Sequence, residues 1–274
     1  MSSIIGRPIM VGGAGGYKMA FASLTPQSGV TYTDGLFSLR PAVLSLMSAA
    51  ISNNRDITSA TLTVYVDYGD IHRKIDVGDQ VTIALNGVNY AFDVIGFNHD
   101  TLTTSTAYGA ATQTGKAGIT FQMHDLFAKT YVMNNSNTNS GGWKSSAMRT
   151  STMATMKGYL PAAWQTAIKP VNKVSGTGGG SSSGTETVSD SCFLLAEIEI
   201  FGSTTYSVSG EGRQYAYYKA GNSKVKNKGS YASAWWERSP RSDYGSRFCC
   251  VGSGGGASYG GADGGYDVAF GFCV

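Results

Sequence analysis

The sequence predicts an α+β fold, and three observations carry that expectation. Apolar residues alternate with polar ones at Leu62, Val64 and Val66. An Asn86-Gly87 pair separates two β-rich runs, the strongest short-range hairpin signal because both residues tolerate positive φ. Met148, Met153, Met156 and Leu160 recur at helical spacing. The 274 residues are enough for one or two domains with a sizeable core.

Taken in order, the chain opens with Pro8-Ile9-Met10-Val11 and a glycine-rich stretch from Gly12 to Lys18. A phosphate loop needs Lys followed by Ser or Thr, whereas Met19 follows Lys18, so this stretch reads as a flexible or assembly-contacting loop. Residues 41–51 carry a short helical stripe behind Pro41. Strands are expected from residue 60, over 80–85 and 88–97 around the Asn-Gly turn, and over 119–121; the Met and aromatic stripe at 123–133 reads as core. Residues 134–142 have turn chemistry, and Ser145 or Ser146 is placed to cap the helix ending near Leu160. Pro161 restarts a shorter helix with Trp164 and Ile168 inward, stopped by Pro170. Residues 175–187 (SGTGGGSSSGTET) read as an exposed, mobile loop, 192–201 as an apolar run with strand-like alternation, and the lysines at 219, 224, 226 and 228 as a solvated loop.

Composition excludes several functions. Charged residues are 14% of the chain, against about 25% in an ordinary globular protein, and Gly is 37 of 274. The surface is therefore built from Ser, Thr, Asn, Tyr and Gly. A net charge of +3 is too weak for binding by phosphate neutralisation, so no nucleic-acid partner is expected. No stretch approaches the roughly 20 apolar residues of a membrane span, and residues 1–7 lack a signal-peptide pattern, so no membrane insertion is expected. Cys192, Cys249, Cys250 and Cys273 form no disulfide or zinc spacing and read as reduced thiols. His72, His99 and His124 fit no metal motif, no nucleophile elbow is legible, and His99-Asp100 and His124-Asp125 read as structural hydrogen-bonding residues. The expectation is a protein without enzymatic activity, cofactor or metal.

Residues 238–274 differ from the rest. These 37 residues hold 10 Gly and no Lys, Glu, Gln, Met or Trp, although those five types number 36 in the first 237 residues. Phe248, Val251, Val268, Phe270 and Phe272 still supply β-type core residues, and Gly252, Gly254, Gly256 and Ser258 recur at alternate positions.

Several co-ordered motifs then resemble one family. They are Ala234-Trp235-Trp236-Glu237-Arg238-Ser239-Pro240, the terminal Val268-Ala269-Phe270-Gly271-Phe272-Cys273-Val274, and upstream Gly96-Phe97-Asn98-His99-Asp100, Asn137-Thr138-Asn139-Ser140-Gly141-Gly142-Trp143, Met148-Arg149-Thr150 and Glu199-Ile200-Phe201-Gly202. The resemblance, over roughly residues 60–274, is to a domain of gut bacteria and their phages with a WW-x-RSP signature and a C-type-lectin-like fold, akin to the variable proteins of diversity-generating retroelements. Relatives usually carry Leu where Glu237 stands, which reads as a change of surface scale.

The resemblance implies two parts: residues 1–55 as an attachment or oligomerisation segment, and residues 56–274 as a C-type-lectin-like ligand-binding domain with a variable region at 238–274. In such systems adenines of a template, often in AAC codons, are rewritten during copying. AAC never becomes Lys, Glu, Gln, Met or Trp, and all five are missing from the tail; Leu, Ile, Thr, His and Asn are missing as well and are not accounted for in this way. The implied diversified, ligand-binding positions are Arg241, Asp243, Tyr244, Ser246, Arg247, Cys250, Gly252, Gly254, Gly256, Ser258, Tyr259, Gly260, Gly261, Asp263, Gly264, Tyr266 and Asp267, interleaved with scaffold residues Phe248, Cys249, Val251, Val268, Phe270 and Phe272. Tyr244, Tyr259, Tyr266 and Arg247 are the expected anchors, because aromatic and Arg side chains dominate interface energies.

The function implied is a phage receptor-binding protein, a tail-tip or fibre adhesin, that binds a host cell-surface protein or glycan. It would be assembled in the host cytoplasm with other virion proteins, as a homotrimer if it follows phage fibres. The alternative is a bacterial surface or accessory ligand-binding protein of the same fold. An oxidase reading, by fold analogy with formylglycine-generating enzymes, would need Cys249 and Cys273 poised at a metal.

Overall fold

The computed structural model describes residues 8–12, 18–21, 48–49, 51–52, 63–68, 71–104, 106–108, 111–113, 115–181 and 184–274. The expected glycine-rich contact at 13–17 and the stripe at 41–47 lie outside the described residues. Helices and antiparallel sheets are mixed, so the chain is α+β. Among the described residues no helix is long and apolar enough to cross a membrane.

The first sheet joins β1 (Pro8–Gly12), β2 (Lys18–Phe21), β3 (Thr63–Tyr68) and β4 (Ile71–Ile75) in the order β2-β1-β3-β4. Its β1–β3 pairing, Val11 to Val64 and Gly12 to Thr63, ties the start of the chain to the segment after residue 60. The central sheet contains β5 (Gln80–Leu85), β6 (Val88–Phe97), β10 (Ile119–Met123), β13 (Cys192–Phe193) and β19 (Gly271–Cys273), in the order β13-β19-β10-β6-β5. The C-terminal strand thus runs inside the sheet. Asn86 (φ 48) and Gly87 (φ 83) turn β5 into β6 as the dipeptide predicts.

Residues near position 50 seal this layer. Ser48 Oγ donates to the carbonyl of Val274, the Ile119 amide donates to Ser48 Oγ at 3.1 Å, and Asn98 Nδ2 donates to the Ile51 carbonyl at 2.8 Å. Gly118 permits the approach, since a Cβ there would lie 1.9 Å from the Ser48 carbonyl oxygen.

Between β6 and β11 (Val171–Gly176) come β7 (Thr101–Leu102), the small hairpin β8 (Thr106–Tyr108) and β9 (Ala111–Gln113), and the helices α1 (Gly142–Ser145), α2 (Met153–Tyr159) and α3 (Ala162–Ala167). A π-helical turn, Met148–Thr152, leads into α2, and Ser146 Oγ accepts the Arg149 amide at 3.1 Å, so Ser146 caps this end as its position predicts. Met148, Met153, Met156, Leu160 and Trp164 are buried, as the helical spacing requires.

Three expectations are corrected. Residues 175–187 are not a free loop: β11 pairs with β12 (Thr185–Asp190) from Val171–Asp190 to Gly176–Thr185, leaving only a short tip of glycines and serines. The run 192–201 is a strand only at β13 and then turns into α4 (Glu197–Phe201). There the Glu199 carboxylate reaches back to the Ala196 amide at 3.0 Å, and Gly202 closes the C-terminus at φ 77. The alternating glutamates mimic a strand, but both turn inward as buried acceptors. The lysine-rich stretch is only partly solvated. It forms α5 (Ala216–Lys219) with Tyr217 and Tyr218 buried, then β14 (Lys226–Lys228) paired with β15 (Tyr231–Ser233). Lys226 Nζ is buried on the carbonyls of Met123 and His124, and Lys228 Nζ meets Asp267 at 2.7 Å.

The WW-x-RSP run forms β16 (Trp235–Pro240), which pairs with β17 (Arg247–Val251), itself paired with β18 (Ala257–Gly261). Trp235 faces Val251 and Trp236 faces Cys250, but Pro240 next faces Phe248, so Glu237, Arg238 and Ser239 oppose a single residue. This bulge directs all three inward, and none is exposed. Arg238 donates to the carbonyls of Val174, Leu194 and Glu211 and to both Glu199 oxygens. Ser239 Oγ donates to Glu211 at 2.6 Å and accepts the Glu197 amide. The motif is therefore a core staple joining β16, β11 and α4. Glu237 is a correction to the surface reading: it is fully buried and neither carboxylate oxygen has a hydrogen-bond partner.

Candidate functional site

Above the bulge, residues 241–246 connect β16 to β17 over the rim of the three-stranded sheet. One side chain shapes this loop. Asn139 Nδ2 lies 3.0, 2.8 and 2.7 Å from the carbonyl oxygens of Arg241, Tyr244 and Arg247, its amide donates to the Gly245 carbonyl at 2.8 Å, and its Oδ1 accepts the Gly179 amide at 2.8 Å. Asn139 is itself buried, so the loop is held from below. The β11–β12 tip supports it from the side. Gly180, at φ 83, approaches so closely that a Cβ would lie 2.5 Å from the Gly245 amide nitrogen.

On this frame, guanidinium and aromatic groups interleave. Arg241 lies 4.0 Å from the Tyr259 ring centroid and 5.2 Å from that of Tyr206, and Arg247 lies 4.5 Å from Tyr244 and 4.8 Å from Tyr259. Tyr206 and Tyr259 meet edge to face at 4.9 Å. Arg241 bonds Asp243 through two nitrogens, at 2.6 and 3.0 Å. The hydrogen bond from Arg241, with the nearby charges of both arginines, lowers the pKa of the exposed Tyr259 phenol. Tyr244 is about half exposed and Asp243 is exposed. The arrangement offers planar donors and aromatic faces to a ligand.

The expected positions divide into two groups. Arg241, Asp243, Tyr244, Ser246, Arg247, Tyr259 and Asp263 keep solvent contact on the loop, the strand and the following turn. Gly254 and Gly256 have open space where a Cβ would stand, Gly252 meets only ordinary contacts from 3.5 Å, and Gly261 is tight at 3.3 Å. Side chains fit readily at the tip of the β17–β18 hairpin.

The second group is structural, contrary to the expectation of an outward face. Cys250 is buried on the side of β17 that carries Phe248. Gly260, opposite Phe248, would place a Cβ 2.6 Å from the Tyr266 ring and 2.9 Å from Trp236, so it is glycine for packing. Tyr266 lies against Trp236 at 4.5 Å and is half-buried, which removes it from the anchors. Asp267 is buried and locked by Lys228. Gly264 would place a Cβ 3.0 Å from the Gly261 carbonyl, and Ser258 is half-buried on the Cys250 side. Sequence reasoning missed Tyr206, which lies outside the tail. Its amide donates to the Glu197 carboxylate and its carbonyl accepts Ser242, a link that follows only from the fold.

Other clusters are occupied. His99, Asp100 and Glu199 could bring ligand atoms within 4.8 Å of one another, but Lys173 Nζ lies between the two carboxylates, 2.7 Å from Asp100 and 2.8 Å from Glu199. The residues present therefore fit an ammonium there and not a divalent ion. His99 stacks on Tyr215 at 3.7 Å, and burial pushes its pKa down to about 4. Cys249 lies on β17 and Cys273 on β19, in different sheets, and burial raises both thiols. They do not form the pair an oxidase needs. A cleft beside the π-helical turn is lined by Arg149, Met153, Lys157, Asp190 and Ser191, with Arg149 already bound to Asp190 at 2.7 Å.

The model of one protein family matches residues 117–273, a domain of unknown function designated DUF6273. The chain belongs to this family. No curated protein and no solved structure matches it. The match begins just before β10 and includes the bulged WW-x-RSP strand, Asn139, Tyr206 and every residue of the guanidinium–aromatic cluster.

Proposed function

We propose that this protein is a phage receptor-binding protein, a tail-tip or fibre adhesin with a C-type-lectin-like domain, and that it grips a host-surface protein or glycan with the face built on Arg241, Tyr244, Arg247, Tyr259 and Tyr206. The observation that carries the reading is the separation between a fixed frame and a permissive surface. The loop backbone hangs on Asn139, and the strands below are fixed by Trp235, Trp236 and Arg238. The side chains above can change without entering the core. Arg and Tyr are the residues that most often dominate binding energy, and this cluster holds two of the first and three of the second.

The tail composition supports diversification of that surface, since five of the ten residue types it lacks, Lys, Glu, Gln, Met and Trp, are the ones that AAC-templated rewriting cannot produce. The buried positions Cys250, Gly260 and Asp267, with the half-buried Tyr266, then belong to the frame. Sequencing the gene across related isolates tests the reading, together with a search for a nearby reverse transcriptase and an adenine-differing copy of codons 241–267. Replacements should concentrate at 241, 243, 244, 246, 247, 252, 254, 256, 259 and 263 and spare Gly260 and Asp267. Replacements spread evenly over residues 117–274 would refute it.

A further inference from the structure

Lys173 on β11, Asp100 in the turn after β6, and Glu199 on α4 meet inside the core with 1%, 3% and 3% of their side chains exposed. Lys173 Nζ lies 2.7 Å from Asp100 Oδ1, 2.8 Å from Glu199 Oε1 and 4.2 Å from the Phe193 ring centroid. Asp100 Oδ2, the other oxygen, accepts Thr120 Oγ1 at 2.6 Å and the Tyr215 hydroxyl at 2.9 Å. We infer that Lys173 and Asp100 become joined by an isopeptide bond, with Glu199 as the proton carrier.

The step balances as a condensation. Burial makes an ammonium and a carboxylate costly as ions, but Lys173 holds the Asp100 carboxyl well below the ordinary carboxylate value, so the neutral amine and acid form transiently, by a proton shift along the Nζ–Oδ1 hydrogen bond. The amine lone pair then attacks Asp100 Cγ, which proximity places within reach. Charge develops on Oδ2, where the Thr120 and Tyr215 hydroxyls already donate. Glu199 Oε1 takes a second proton from Nζ and delivers it to Oδ1. The Cγ–Oδ1 bond breaks, Oδ1 leaves as water, and a neutral amide N–H remains. Nothing is oxidised or reduced. Arg238, bonded to both Glu199 oxygens, keeps that carboxylate ionised and able to accept the proton.

Among the described residues the other cation pairs lack this set of parts. Lys144 and Glu186 are 3.1 Å apart, but the Lys144 side chain is more than half exposed. Lys226 faces backbone carbonyls, which offer no leaving group. Lys228 and Asp267 are 2.7 Å apart, but Lys228 is one-fifth exposed and no second carboxylate shares it among the described contacts. Arg149–Asp190 and His124–Asp93 bring no amine. The bond would close a loop between positions 73 residues apart in a chain whose four cysteines are all free thiols. It is independent of the ligand-binding reading.

Intact-mass spectrometry of the full-length folded chain, under denaturing conditions, tests it. The expected mass is below the sequence mass by one water, with a branched peptide joining the segments that contain Asp100 and Lys173, and with the full sequence mass in Glu199→Gln. The wild-type measurement stands alone, so the test does not depend on that variant folding. A folded wild-type chain at the full sequence mass overturns the proposal, leaving only a buried ion pair. So does a water loss that maps to Asp34-Gly35 or Asp263-Gly264, where aspartate can cyclise on its own backbone.

Discussion

Replacing Glu237 by Leu is expected to stabilise the protein, and the structure sets the size of the effect. The side chain is fully buried and both oxygens lack partners. Burial, with Glu197 and Glu211 nearby, raises its pKa well above the ordinary carboxylate value. Each unsatisfied buried polar atom costs about 1–3 kcal/mol, and this side chain has two, so an apolar side chain of similar volume gains on the order of 3 kcal/mol. A gain of about 3 kcal/mol would lift the melting temperature by roughly 6–12 °C in a chain of this size. The pH dependence is more diagnostic. The folded chain keeps the Glu237 proton where the unfolded chain has released it, so this stability is present below the ordinary carboxylate pKa. It falls by about 1.4 kcal/mol per pH unit as pH rises toward the folded value. Urea unfolding at pH 5, 6 and 7 should therefore show the wild type losing stability relative to Glu237→Gln, which has similar shape and no proton to release. Parallel profiles for the two, or a Glu237→Leu variant less stable than the wild type, would refute the reasoning.

Three further outcomes follow from the same geometry. Asn139→Ala should loosen residues 241–247 and cost about 1–3 kcal/mol, because three loop carbonyls lose their shared donor; hydrogen exchange should rise at the loop amides first. Gly260→Ala should cost about 1–3 kcal/mol by forcing Tyr266 and Trp236 apart, measured by thermal unfolding, whereas Gly254→Ala should cost little. The thiols should resist a disulfide reagent in the native state and react only after unfolding, since all four are buried and burial pushes Cys192 and Cys250 up to about 12.

Local signals were legible where one residue type decides the geometry. Asn86-Gly87, the Ser146 cap and the Pro161 restart all follow from backbone chemistry within a few residues, and the structure keeps them. The errors arose where distant partners decide. The glycine and serine tract carries no core residue of its own, yet its flanks pair as β11 and β12 and its tip is held by Asn139 and Gly245. Lys226 looks solvated in sequence and is buried on the carbonyls of Met123 and His124, at and just past the end of β10. Glu237 looks like a surface residue because its neighbours in an ordinary strand would alternate, and only the bulge turns it inward. Within the tail, composition marks the region as a whole but cannot separate Tyr259 from Tyr266, since the difference is which face of the sheet Trp236 occupies.

The central claim is that ligand binding resides on a surface that can be changed without touching the fold, and one comparison tests it. A variant with Arg241, Tyr244, Arg247 and Tyr259 all replaced by Ser should be made beside Trp236→Ala, and each assayed for adsorption to host cells and for thermal unfolding. The fourfold Ser variant should lose adsorption and keep a nearly unchanged melting temperature, as expected for surface substitutions. Trp236→Ala should lose about 3–5 kcal/mol of stability, because the ring is fully buried and donates to the Tyr131 carbonyl at 2.8 Å. Adsorption of the fourfold Ser variant at the wild-type level would contradict the account and move the binding site away from the tail.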